Sequence, residues 1–197
     1  DPVTATGTAN SSATGATRGQ LHLAVVLESP HEPASMGMLA MKESKLIQKY
    51  SELHPGRDRS NFIVTDLLHA EGSPLDALLY SYLFWPDFEE YEGMVFLRSS
   101  LEDEEDRAQV RETLHRYNGD RLATQQAHNF VDVGDLFGAR CGETEESEDV
   151  LLAARLMEMW SARLARLFPH RTFVFNLISA SASGGNIGIQ FWRSTSP

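Results

Sequence analysis

Between Ser147 and Pro169 apolar residues recur every four positions, and this repeat constrains the fold more than any other stretch. Leu152, Leu156, Trp160, Leu164 and Phe168, flanked by Met157 and Leu167, form the stripe of a helix lying on a core. Ser147 is placed to cap it, Glu148 and Asp149 suit the positive end of its dipole, and Pro169 forbids its continuation. Arg155, Arg163 and Arg166 fall off the stripe. Beyond it, residues 172–178 are rich in β-branched and aromatic side chains, and Ile187 to Trp192 alternates like a half-buried strand. The intervening Ser179–Asn186 loop carries a Gly184-Gly185-Asn186 turn signal, so a C-terminal antiparallel hairpin is expected beneath the helix.

Earlier in the chain, residues 21–27 read as a buried strand closed by Ser29-Pro30, and a helix follows from Ser35 to Leu53. Met36, Met38 and Met41 near its start are read as adaptable core filler. Asn61 to Leu68 reads as a strand or a strand plus turn, and Ser73-Pro74 opens a helix. From Leu75 to Trp85 that helix is apolar nearly all round, which predicts full burial. Tyr91–Leu97 reads as a strand. Leu101–Tyr117 reads as a surface helix with Asp103–Arg107 and Glu112–Arg116 pairs, stopped by Asn118-Gly119. Gln125–Asn129 is polar, and Phe130–Val133 is a short strand. The order gives an α/β domain, with α+β as the alternative: a single domain with a mixed sheet, flanking helices and the C-terminal hairpin.

Residues 1–20 are Thr, Ala, Ser and Gly with almost no large apolar side chain, so they are expected to form a flexible tail before a single domain over 21–197. Lacking an initiator methionine, the chain is read as a processed product or an excerpt. No apolar run reaches the ~18 residues of a membrane span, so membrane insertion is not expected. The lone Cys141 excludes an internal disulfide and a cysteine-rich zinc site. A soluble protein is implied, with the cytoplasm favoured.

The formal net charge is −11. Such a field repels nucleic acid and suits a basic partner. Two acidic faces are the candidate contact surface: Glu89, Glu90 and Glu92, and then Glu102, Asp103, Glu104, Glu105 and Asp106. Groups that could carry chemistry are sparse. His31-Glu32 and the set Asp66, His69 and Glu71 are the nearest to metal ligands, but no His-Glu-x-x-His is present. Ser29 has a proline where an oxyanion donor would be needed, and the acids near Cys141 would raise a thiol pKa. A strand, not a helix, follows Gly184-Gly185, against the pattern of a phosphate loop. Asp132 and Asp135 read as turn formers. No cofactor is implied. The expectation is a non-catalytic acidic interaction domain, either a subunit of a larger assembly or a neutralising, immunity-type partner of a basic protein. The rival is a small hydrolase using His31 or His69 with neighbouring carboxylates.

Overall fold

The computed structural model describes residues 23–25, 43–56, 58–183 and 185–194. The tail, Ser29, His31, the three early methionines and Gly184 lie outside these residues, as do the expected strand and helix residues flanking Leu23–Val25 and preceding Glu43. The described elements run β1 (Leu23–Val25), α1 (Glu43–Leu53), α2 (Val64–Glu71), α3 (Pro74–Phe84), β2 (Phe88–Tyr91) and β3 (Met94–Leu97). They continue with α4 (Glu104–Arg116), α5 (Arg121–His128), β4 (Phe130–Asp132), α6 (Glu146–Leu167), β5 (Phe173–Ile178), α7 (Ala180–Ser183) and β6 (Gly188–Arg193). This is the expected α/β class, with helices around a sheet and a C-terminal antiparallel hairpin.

That hairpin is the middle of a four-stranded sheet ordered β1-β5-β6-β4. Where a mixed sheet was expected, every described pairing is antiparallel. β5 and β6 pair over their whole length, Phe175 opposite Phe191, and the two rings stack at 5.6 Å. Strand alternation puts Asn176 and Gln190 on the other face, where the Gln190 amide donates to the Gln126 carbonyl of α5. The β5–β6 connection contains the short α7, not a bare glycine turn. Gly188 permits a close approach: a Cβ there would run into the Phe130 ring on the neighbouring strand.

α6 lies on this hairpin with its expected stripe inward. Leu156, Trp160 and Leu164 are buried, and Leu152 and Phe168 are half-buried beside them. Leu167 points outward instead. The cap lies two residues before the expected Ser147: it is Glu145, and the Glu148 carboxylate accepts from its backbone N–H at 2.9 Å. Burial pushes the Glu148 carboxyl up, but hydrogen bonds from Lys49 and from the Glu145 N–H outweigh it and hold the carboxyl below its ordinary range. Trp160 meets Phe88 and Phe191 edge-on at 6.4 and 6.1 Å. Its indole N–H donates to the Leu83 carbonyl at 2.8 Å. One side chain therefore joins the helix, the sheet, the small hairpin and the end of α3.

Two other expectations are corrected, and a helix that was not expected is present. Residues 64–71 are helix α2, not strand, because tertiary and capping groups override the β-branched composition. The Asp66 carboxylate accepts from the Ile63 N–H, and the Glu43 carboxylate of α1 accepts from the Val64 N–H. The single strand expected over 91–97 is a hairpin, β2–β3. Its two-residue turn holds Glu92 at φ 52° and Gly93 at φ 76°. The polar segment before Asn129 is helix α5, capped by Asp120, and it buries Gln125 and Asn129. Gln125 Oε1 accepts from the Val95 and Arg193 N–H groups, and the Asn129 amide donates to the Val95 carbonyl, so these residues tie the small hairpin to the sheet.

Replacing Trp160 with Ala removes both the buried ring and the donor to Leu83. The expected cost is about 3–5 kcal/mol in urea unfolding. A loss below ~1 kcal/mol, the average for an arbitrary site, would show that Trp160 does not join these parts.

Candidate functional site

The acidic faces are largely engaged in holding the fold. Glu89 binds Arg107 at 2.7 Å and Glu90 binds Arg171 at 2.8 Å. The hydrogen bond that Arg107 donates to Glu89 raises the Arg107 pKa above its ordinary value. Arg107 therefore pairs across to the hairpin, not with Asp103 as its helical spacing suggested. Asp103 caps α4 by accepting from the Glu105 and Asp106 N–H groups, and Asp106 accepts from those of Glu102 and Asp103. Glu104 binds Arg111 at 2.7 Å. Glu112–Arg116 forms as expected, at 3.0 Å. Among the described residues, Glu92, Glu102 and Glu105 have no ion-pair partner. Glu102 borders a cavity of about 400 Å³ together with Tyr82, Glu89, Arg98 and Arg107.

Among the described residues, the groups considered for catalysis are held in other contacts or exposed. Asp66 caps α2, and Glu71 accepts from Arg59 Nε at 2.6 Å and from the Tyr50 hydroxyl at 3.2 Å. Both carboxylates are thus held in structural contacts, while His69 is exposed. Asp132 accepts from the Asp135 N–H and from the Asn186 amide, the turn-forming role its setting suggested. Among the described residues no group of three or more His, Cys, Asp or Glu is placed to hold a metal ion. No helix there is long and apolar enough to cross a membrane.

His128 is half-buried in the fold. Its Nε2 lies 3.0 Å from Thr113 Oγ1, and Phe96 meets its ring edge-on at 6.2 Å. Burial lowers its pKa.

The surface feature that residue patterns missed is the outer side of α2 and α3. Far from being fully buried, α3 has no residue in the core, and only Leu83 and Phe84 pack against it in part. Leu75, Leu78, Leu79 and Tyr82 are each more than half exposed, as are Ile63 at the start of α2 and Leu68 within it. A helix apolar on every side needs cover on every side. Among the described residues α3 is anchored at its C-terminal end by α6, through the Trp160–Leu83 bond and through Arg163. That arginine donates to the Pro86 carbonyl and Asp87 and lies over the Trp85 ring. Tyr80 adds an edge contact with Phe137 at 6.0 Å. Surface of this extent and apolarity ordinarily marks a contact site.

No protein-family model, curated protein or solved structure matches this chain.

The lowered His128 pKa makes a signed prediction. The unfolded chain takes up this proton first, near pH ~6.5, so the unfolding free energy declines as pH falls through that value and stops declining below the folded pKa. Urea midpoints between about pH 7.5 and 5.5 should decline less steeply for His128→Asn than for the parent. Equal slopes would show that this ring does not contribute.

Proposed function

We propose that the chain is an acidic protein–protein interaction domain, acting as a subunit of a larger assembly or as the neutralising partner of a basic protein. The observation that carries this reading is the uncovered apolar side of α2 and α3, six large side chains each more than half exposed. The charge of −11 supports it by steering a basic partner toward the domain. Of the two acidic faces, Glu92, Glu102 and Glu105 are the carboxylates left to that role, because the other five hold arginines or cap α4. Among the described residues the hydrolase reading has no such support: Asp66 and Glu71 are engaged elsewhere, and His69 faces solvent.

Full-length chain purified from its own source should retain a partner, and the rate of reassociation should fall steeply as salt is added. Substituting both Leu78 and Leu79 by Asp should release the partner while leaving the circular dichroism spectrum unchanged. A chain that purifies alone and stays alone at every salt concentration contradicts this function.

A further inference from the structure

The cavity beside Tyr82 is walled by the end of α3, the start of β2 and the turn between β3 and α4. At about 400 Å³ it has the size of a small-molecule pocket, which ordinarily falls between about 300 and 1,000 Å³. The charged groups around it sort by pairing. Asp87 binds Arg163 and Glu89 binds Arg107, each at 2.7 Å, so these two carboxylates are already neutralised. One guanidinium and one carboxylate remain, those of Arg98 and Glu102. Both are exposed, and among the described residues neither has an ion-pair partner. Nor are they within ion-pair distance of one another.

The backbones that carry these two side chains are fixed. The Arg98 N–H donates to the Asp87 carbonyl at 2.9 Å, and the Arg98 carbonyl accepts from the Leu101 N–H at 3.0 Å. Leu101 is fully buried, so the turn is pinned to the core between the two charges. The Glu102 N–H donates to the Asp106 carboxylate at 2.9 Å. Two opposite charges thus border one cavity from held positions, and Tyr82 adds an aromatic wall that is 72% exposed. A ligand with a single charge would satisfy only one of the pair, whereas a zwitterion satisfies both. We propose that this cavity binds a free α-amino acid with an aromatic side chain. Its carboxylate pairs with Arg98, its ammonium with Glu102, and its ring packs against Tyr82. The inference goes beyond the interaction reading and shares only Glu102 with it.

The test is calorimetric titration of the full chain with L-phenylalanine. Phenethylamine, which lacks the carboxylate, and hydrocinnamate, which lacks the ammonium, serve as controls. L-phenylalanine should bind, and each control should bind at least about tenfold more weakly. Arg98→Ala and Glu102→Gln should each weaken L-phenylalanine by at least about tenfold. Neither substitution should move the urea midpoint, because both side chains are exposed and hold no other ion pair among the described residues. No heat with L-phenylalanine up to ~10 mM overturns the proposal. Equal binding of either control, or affinity that survives both substitutions, overturns it as well. A marked fall of the urea midpoint in either variant overturns it too, since that side chain would then be holding the fold and not standing free for a ligand. Each of these failures leaves the interaction reading to its own purification test.

Discussion

The contact of Trp160 with its neighbours is what the other described parts are arranged around. Its ring fills the space between the β5–β6 sheet and the β2–β3 hairpin, and its N–H satisfies one carbonyl, that of Leu83, in the last turn of α3. That bond is made at Leu83, so it anchors the C-terminal end of α3. Arg163, one turn further along α6, fixes the residues just beyond it through Pro86, Asp87 and Trp85. Toward the other end of α3, Leu75, Leu78 and Leu79 are each more than half exposed.

How much of this was legible depends on whether the cause is local. The α6 stripe and the two closing strands follow from periodicity, and residues 152–164, 173–178 and 188–191 lie where that periodicity put them. The α2 helix was not legible, because Ile63-Val64-Thr65 has strand composition and its decisive contact comes from Glu43, 21 residues away. The β2–β3 turn was hidden because Glu92 occupies a left-handed position ordinarily marked by Asn or Gly. The burial of Gln125 and Asn129 depends on unpaired backbone groups of β3 and β6, which no pattern within 121–129 reveals.

The candidate site illustrates the same limit. Acid runs are conspicuous in a sequence, yet Asp103 and Asp106 chiefly fasten the start of α4, and Glu89 and Glu90 fasten the small hairpin to Arg107 and Arg171. An all-round apolar helix is equally conspicuous, and its ordinary meaning is burial. Whether α3 is covered is a property of the whole fold. The free energy left unrealised by exposing several leucines, each worth roughly 1.5–3 kcal/mol on full burial, is available to association.

The most direct measurement is nitration of the free, full-length, monomeric chain by tetranitromethane, with the modified tyrosines located by mass spectrometry. Tyr82 is 72% exposed, Tyr117 39%, and Tyr50 is stacked on His54 and bonded to Glu71. The account predicts that Tyr82 reacts first, ahead of Tyr117 and well ahead of Tyr50. Protection of Tyr82 in the monomer while Tyr117 reacts would contradict a bare α3.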